Sequence, residues 1–165
     1  MYAAANTYRL QAILPEVRIT SIYEWMAREQ SISFSGAAGL AVHDSCPHRY
    51  TQRIGKAVRS LLGVIDPLMK HEGKRSLCCG AGGDVPQFNP TLAQAIAESR
   101  LAEAEAGGAR ALVTYCSTCA VQLAGYSQTL PIVHALDLLL GLENDYRQIA
   151  ERVSLLREEA RETAK

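Results

Sequence analysis

The residues with the clearest capacity for chemistry in this chain are its five cysteines, which occur in three groups. Cys46 stands alone, Cys78 and Cys79 are adjacent, and Cys116 and Cys119 form a C-x-x-C pair. An odd number of cysteines fits poorly with a closed set of disulfides. In a reducing compartment, clustered cysteines more often bind metal or act in catalysis than form crosslinks. The cysteines therefore predict a metal or redox site.

The C-x-x-C spacing indicates a helix start that carries two sulfur atoms. At such a position the sulfur atoms of Cys116 and Cys119 lie on the same side of the helix, near the partial positive charge of its N-terminal end. Redox dithiols and zinc sites share this spacing, so the pair alone does not select between them.

The adjacent pair needs a turn in the backbone. Neighbouring side chains of an extended strand point to opposite faces, so Cys78 and Cys79 can reach one centre only where the chain turns. The Gly-Ala-Gly-Gly sequence at 80–83 provides such a turn and lets backbone N–H groups approach sulfur. A phosphate-binding loop is the alternative interpretation, but the Lys and Ser/Thr of a P-loop are missing.

The number of thiols limits the kind of centre. Five thiolates are one more than tetrahedral zinc takes and one more than an ordinary cubane [4Fe–4S] cluster takes. Five thiolates indicate either an unusual cluster or a site in which one of the thiols stays free. Two alternatives are a zinc-binding structural or assembly module that uses four thiols, and a metal-free dithiol enzyme that uses Cys116 and Cys119. The dithiol alternative does not explain Cys46, Cys78 and Cys79.

Short predicted strands precede the cysteine groups. Apolar segments at 39–43 and 111–115 end just before Cys46 and Cys116, and a strand at 76–77 is predicted to lead into Cys78. Ligand sites in open α/β sheets lie beyond the carboxyl ends of the strands. The three groups are therefore expected to meet at one edge of the sheet.

Helices are predicted between these strands. Ser21 and Glu24 have the spacing of a capping box for a helix over 22–28, and the Asn89-Pro90 sequence predicts the start of a helix that ends at the glycines 107–108. Residues 17–19 are predicted as a short strand, and 145–162 as a charged helix. This alternation predicts an α/β fold, a small parallel sheet flanked by helices with the cluster site at the carboxyl ends of the strands.

Composition narrows the function further. Lys plus Arg and Asp plus Glu both total 17, so the formal net charge is zero, which argues against a basic nucleic-acid surface or a polybasic membrane patch. No apolar run approaches the roughly 20 residues that cross a bilayer, and the first residues lack the pattern of a signal peptide. The expectation is a cytoplasmic protein with no nucleic-acid partner and no transmembrane segment.

Three motifs surround the cysteines: His43-Asp44-Ser45-Cys46-Pro47, Cys78-Cys79-Gly80-Ala81-Gly82-Gly83 and Tyr115-Cys116-Ser117-Thr118-Cys119. Together they resemble the cysteine-rich CCG domain. This family occurs in the B subunit of heterodisulfide reductase and in iron–sulfur subunits of glycolate, lactate and glycerol-3-phosphate oxidation systems. The resemblance extends over roughly residues 39–140.

The resemblance implies a non-cubane [4Fe–4S] cluster with all five cysteines as ligands, namely Cys46, Cys78, Cys79, Cys116 and Cys119. It implies a redox module of a heterodisulfide-reductase-like oxidoreductase, active in electron transfer or disulfide reduction. Flavin or iron–sulfur subunits are the implied partners, and a thiol or disulfide is the implied substrate. Some modules of this type hold zinc in place of a cluster.

The resemblance also predicts a division of the chain. Members of the family usually carry two modules in tandem, whereas here residues 39–142 form one complete module. Residues 1–38 resemble the tail of a preceding module and are expected to pack on the main domain. Residues 143–165 are expected to form the C-terminal helix.

Four further residues adjoin the cysteines in sequence. His43 and His48 are expected to order the loop around Cys46 by hydrogen bonding, and contact with the cluster or substrate is the alternative for both. Asp44 is expected to cap a turn. Tyr115, at the end of a strand, is expected to be a core residue.

Overall fold

The computed structural model describes residues 10–30, 32, 34–36, 38–64 and 68–163 of the chain. Its α-helices are α1 (Ile22–Glu29), α2 (Arg53–Leu62), α3 (Val85–Phe88), α4 (Pro90–Ala106), α5 (Ser117–Tyr126), α6 (Ala135–Leu140) and α7 (Tyr146–Thr163). Residues 10–13 are also helical. Three short 3₁₀ turns cover Cys46–His48, Gly73–Arg75 and Gly82–Asp84.

Three short parallel strands form one sheet. They are β1 (Leu40–His43), β2 (Ala111–Thr114) and β3 (Ile132–His134), and β2 lies in the centre. Leu40 is paired with Ala111 at the start of the β1–β2 ladder. The predicted fold, a small parallel sheet flanked by helices, is confirmed.

The two faces of the sheet are covered by different helices because strand side chains alternate between faces. Val42 and Val113 belong to a core that includes residues of α1, α2 and α6. Ala41 and Leu112 belong to a second core that includes residues of α4 and α5. Alternate residues of each strand thus anchor one helical layer on each side of the sheet.

Alanines on the inner face of helix α4 let neighbouring segments approach the helix closely. Ala93, Ala97 and Ala104 are fully buried along it. The helix begins as predicted, since the Asn89 side chain accepts a hydrogen bond from the Leu92 N–H at 3.0 Å. The capping box of α1 is also confirmed. Helix α4 contacts the segment that carries Cys78 and Cys79 at Gly80.

Two of the predicted strands are absent. Residues 17–19 form no strand, and neither do residues 76–79, which run irregularly between a 3₁₀ turn and the glycine-rich sequence. The position of Cys78 and Cys79 is therefore set by side-chain contacts and not by the end of a strand.

Helix α7 packs against α5 through a small residue, because Ala150 is buried next to Gly125. The spacing of Ile149, Val153 and Leu156 predicts one apolar face of this helix, but Leu156 is 63% exposed. No helix within the described ranges combines the length and the apolar character that crossing a bilayer requires. The domain boundaries at 38 and 142 stay predictions.

Candidate metal centre

The five cysteines lie together beyond the carboxyl ends of β1 and β2. Cys46 and Cys78 lie close enough to shift each other's pKa values, and so do Cys78 and Cys79. Cys79 Sγ lies 3.2 Å from Cys119 Sγ, and Cys119 is joined in turn to Cys116. The sulfur atoms of three separate chain segments therefore form one unbroken series of contacts. The predicted meeting of the cysteine groups at one edge of the sheet is confirmed.

The inner and outer parts of this group differ in access to solvent. Cys79 and Cys119 are each only 3% exposed and form part of the core between α4 and α5. Cys46, Cys78 and Cys116 are half-buried. The group thus has a closed inner side and a partly open outer side.

Cys116 occupies the N-cap position of α5, and Ser117 is the first residue of the helix. The expectation that a helix starts at the C-x-x-C pair is correct. This cap position brings the Cys116 sulfur close to the N–H groups of Thr118 and Cys119. Free N–H groups at a helix start favour a thiolate.

The glycine turn after the adjacent pair has the predicted effect on the backbone. Gly80 has φ +88°, and its N–H donates a hydrogen bond to Cys78 Sγ at 3.3 Å. A Cβ atom at this position would lie 2.7 Å from the carbonyl oxygen of Ala93 in α4. Glycine is required here both by the left-handed backbone conformation and by the close approach of α4.

Asp44 links the three segments that carry the cysteines. Its carboxylate accepts hydrogen bonds from the Gly73 N–H and the Tyr115 hydroxyl, and its backbone carbonyl accepts one from the Ser76 hydroxyl. Burial would raise the pKa of Asp44, but the hydrogen bonds and charge of Arg59 hold it below the ordinary value. The expectation that Asp44 orders a turn is confirmed, and Tyr115 is fully buried as predicted.

Two of the thiols are held as thiolates. Hydrogen bonds from Cys46 and Cys79, with the N–H of Gly80, lower the pKa of Cys78 to about 2 despite burial. A hydrogen bond from Cys119 and the N–H groups at the start of α5 lower the pKa of Cys116 to about 6. Negative charge is therefore stabilised on Cys78 and Cys116 before any metal binds.

The other three thiols are held in the protonated form. The hydrogen bond to Cys78 raises the pKa of Cys46 far above its ordinary value, and burial adds to this. The pKa of Cys79 rises to about 12, because the contact with Cys78 and burial outweigh the hydrogen bond from Cys119. Hydrogen bonds with Cys116 and Cys79 raise the pKa of Cys119. Each of these thiols must lose its proton when it binds a metal.

His43 ends β1 next to the inner sulfur atoms. Its ring nitrogen and the sulfur atoms of Cys79 and Cys119 all lie within 4.8 Å of one another. His43 Nδ1 accepts a hydrogen bond from Arg100 Nε at 3.1 Å, and both residues are completely buried. Burial and the charge of Arg100 lower the pKa of His43 to about 3. The ring is therefore neutral at ordinary pH.

Arg100 is the site residue that the sequence pattern did not single out. It lies on the inner face of α4, and its Nη1 donates a hydrogen bond to Glu103 Oε2 at 2.6 Å. Glu103 in turn is hydrogen-bonded to His71 at 2.9 Å. Its helical spacing could have revealed it, because Arg100 lies on the same side of α4 as Ala97 and Ala104. His48, the other histidine near Cys46, is buried in the 3₁₀ turn.

Comparison with known proteins agrees with this arrangement. Residues 40–124 match the cysteine-rich domain called CCG, and the chain belongs to this family. The match begins at β1 and ends within α5, so it includes all five cysteines. The family expected from the three cysteine motifs is confirmed.

One relative is an uncharacterized iron–sulfur protein of Methanocaldococcus jannaschii. It is 34% identical to this chain over 80 residues, which amount to 48% of this chain and 16% of that protein. The similarity thus spans a small part of the relative's length.

The donor set fits a centre of soft metal ions. Thiolates are the ligands that iron–sulfur clusters and zinc prefer. His43 Nε2 and Arg100 Nη2 are buried nitrogen atoms without a hydrogen-bond partner among the described residues. Buried N–H groups normally have acceptors, and the sulfur atoms of a metal–thiolate centre are acceptors. The residues present therefore suit a sulfur-rich metal centre.

Proposed function

We propose that this chain is an iron–sulfur redox module. In this proposal Cys46, Cys78, Cys79, Cys116 and Cys119 together hold one non-cubane [4Fe–4S] cluster. The single observation that carries it is the continuous series of contacts among all five sulfur atoms. An ordinary cubane cluster takes four thiolates, so a site that gathers five favours a cluster of another shape.

Membership of the cysteine-rich domain family supports iron over other metals. The iron–sulfur protein of M. jannaschii adds to this support, although the two chains correspond over 16% of that protein. The compartment is proposed to be the cytoplasm, where thiols remain reduced.

The proposed role is that of a heterodisulfide-reductase-like oxidoreductase, in electron transfer or in disulfide reduction. When bound, the cluster supplies one-electron chemistry and an iron that can accept a thiolate. The chain's own residues stabilise the negative charge of the centre. The N–H of Gly80 donates to Cys78 Sγ, and the start of α5 brings N–H groups towards Cys116. The proposed partners are flavin or iron–sulfur subunits.

The proposed place for a thiol or disulfide substrate is a cavity beside the segment that carries the C-x-x-C pair. It has a volume of about 360 Å³ and lies between α5 and α7. Ser117 and Thr118, the residues between the two cysteines, line it together with Ala81 of the glycine turn and Arg157. A substrate bound there would contact the glycine turn and the start of α5, the two segments next to Cys79 and Cys119. The positive charge of Arg157 would favour an anionic substrate.

Zinc binding through four of the five cysteines is the second candidate function, and the 3.2 Å contact between Cys79 Sγ and Cys119 Sγ favours it. Thiolates that lie this close could share one tetrahedral ion with two further cysteines. This alternative makes the chain a structural or assembly module. It predicts one zinc ion per chain and a protein that stays folded in air.

Metal and sulfide analysis of protein purified without oxygen tests the two candidates. The iron–sulfur proposal predicts brown protein with about four irons per chain and acid-labile sulfide. Colourless protein without iron contradicts it, and one tightly bound zinc supports the alternative.

Single cysteine-to-serine variants test the ligand set. Each of the five replacements is expected to lower the iron and sulfide content, because each thiol contributes one ligand. Ser117→Ala is the matched control, since it changes a residue between two of the cysteines without removing a sulfur. A cysteine whose replacement leaves the iron content and the spectrum unchanged is not a ligand.

A further inference from the structure

His43 and Arg100 meet beside the inner sulfur atoms of the proposed centre. Neither side chain has any solvent exposure, and Arg100 Nε donates its hydrogen bond to His43 Nδ1 at 3.1 Å. This hydrogen bond determines which of the two ring nitrogens carries the proton.

A guanidinium group has five N–H donors and no acceptor. The nitrogen of His43 that faces Arg100 must therefore offer a lone pair, so Nδ1 is unprotonated. In the neutral ring the proton then resides on Nε2. This assignment follows from the direction of one hydrogen bond and does not depend on which metal is bound.

The same hydrogen bond opposes metal ligation by His43. A ligating histidine binds the metal through one nitrogen and donates the N–H of the other to an acceptor. Ligation through His43 Nε2 would require the proton on Nδ1, where it would face the N–H of Arg100. The buried group of one histidine and two cysteines is thus unsuited to a mixed nitrogen and sulfur site.

We infer that Arg100 holds His43 as an Nε2–H hydrogen-bond donor to the sulfur atoms of Cys79 and Cys119, and that His43 is not a metal ligand. A ring nitrogen of His43 lies within 4.8 Å of both sulfur atoms, and Nε2 is buried without a hydrogen-bond partner in the described part of the chain, so these sulfur atoms are the acceptors that we assign to it. The effect on a cluster rests on the proposed function, whereas the position of the proton does not.

Arg100 is a positioning residue that acts through His43. Its Nη1 is bound to Glu103 one turn further along α4, and Glu103 is also held by the backbone N–H and ring of His71. The guanidinium is thus anchored through a nitrogen other than the one that contacts His43. This anchor keeps Nε directed at His43.

Nitrogen-15 NMR of the histidine rings tests the inference directly. In metal-free reduced protein and in zinc-loaded protein, His43 is expected to carry its proton on Nε2. Arg100→Met removes the donor and is expected to end this preference, whereas Arg100→Lys keeps a donor and is expected to retain it. His134, also buried but with no arginine hydrogen-bonded to its ring among the described residues, is the internal control. A proton on Nδ1 of the wild-type ring, or direct bonding of Nε2 to zinc, overturns the inference.

The midpoint potential of the anaerobically loaded protein provides a second test. Hydrogen bonds to the sulfur atoms of a cluster raise its potential. His43→Leu is therefore expected to shift the potential to a more negative value with iron and sulfide content unchanged. His43→Gln, whose amide N–H can replace the Nε2–H, is expected to restore much of the shift. Loss of iron from both variants overturns the inference, because it would mark His43 as a ligand.

The two proposals fail in different ways. Wild-type protein without iron or sulfide contradicts the iron–sulfur proposal, yet the NMR measurement on metal-free protein still decides the position of the proton. If Arg100→Met does not fold, the wild-type spectrum alone decides, since only one of the two ring nitrogens can carry the proton.

Discussion

Asp44 accepts hydrogen bonds from both terminal nitrogens of Arg59, at 2.8 Å from Nη1 and 2.7 Å from Nη2. The side chain of Asp44 is 3% exposed and that of Arg59 is 21% exposed, so this ion pair is largely shielded from water. Because Asp44 also bonds Gly73 and Tyr115, the pair fixes the loops around the cysteines relative to one another.

Replacement of Asp44 by asparagine tests the importance of this pair. The variant keeps the shape of the side chain but leaves Arg59 with Glu72 as its remaining carboxylate partner. We expect the free energy of unfolding of metal-free protein to fall by about 3 kcal/mol, the usual cost of breaking a buried pair. Chemical denaturation measures this loss.

The exposed pair Arg28–Glu29 is the control for that measurement, since its side chains are 56% and 45% exposed. Glu29→Gln is expected to cost less than about 1 kcal/mol. Equal losses in the two variants would show that burial does not set the strength of the Asp44 pair.

The glycine turn offers a matched pair of substitutions. Gly80→Ala forces a side chain onto a backbone with φ +88° and places Cβ 2.7 Å from the carbonyl oxygen of Ala93. Gly82→Ala meets no atom within 4 Å. We expect Gly80→Ala to cost about 2 kcal/mol and to lower the iron content after reconstitution, and Gly82→Ala to preserve both. Similar iron contents in the two variants would contradict this account of the turn.

Alkylation of metal-free protein is expected to distinguish the outer thiols from the inner ones. Cys78 and Cys116 are half-buried and have pKa values lowered to about 2 and about 6. Cys79 is 3% exposed and has a pKa raised to about 12. Since the thiolate is the reactive form, we expect Cys78 and Cys116 to react first at neutral pH.

Mass spectrometry after short exposure to iodoacetamide identifies the modified residues. A repeat in denaturant provides the control, because unfolding makes the five rates alike. Modification of Cys79 before Cys116 in the folded protein would contradict the burial described for the inner side of the group.

Acidification is expected to destabilise the metal-free protein partly through His134. Burial lowers the pKa of His134, although the charge of Asp137 opposes this, and the ring of Tyr146 lies 6.3 Å away. The unfolded chain binds a proton at about pH 6.5, before the folded protein does. The contribution of His134 is therefore fully present above pH 6.5 and is lost as the pH falls towards its lower pKa in the folded state.

Denaturation curves between pH 7.5 and pH 5 for wild type and His134→Gln isolate this contribution. The free energy of unfolding of wild type is expected to fall more steeply with acid than that of the variant. Parallel curves would contradict a neutral His134 in the folded state. The comparison with the variant also removes the acid sensitivity that comes from His43, whose pKa is lowered as well.

Much of the fold was predictable because local sequence signals were strong. The apolar runs of β1 and β2 and the Asn89-Pro90 start of α4 agree with the structure to within a few residues. The segment before Cys78 was wrongly predicted as a strand. Two residues carry too little pattern to separate a strand from an irregular segment, and here the bond from Ser76 to Asp44 determines the path of the chain.

The meeting of the cysteines could be predicted, whereas their surroundings could not. The parallel sheet brings Cys46 and Cys116 to one edge by topology alone. The role of Arg100 depends on which side of α4 turns inward and on what lies opposite. Arginines are rarely buried completely, so its charge argued for the surface. Only the three-dimensional contact with His43 reveals its position.

The pairing of β1 with β2 has a consequence for the folding of the chain during its synthesis. Leu40 reaches its partner Ala111 only after most of the polypeptide has left the ribosome. During that interval Cys46, Cys78 and Cys79 are synthesised without the helix that will enclose them. Closing so long a loop is slow compared with forming local structure. Under the proposed function, metal insertion is therefore expected only after α5 has been made, because Cys116 and Cys119 belong to that segment.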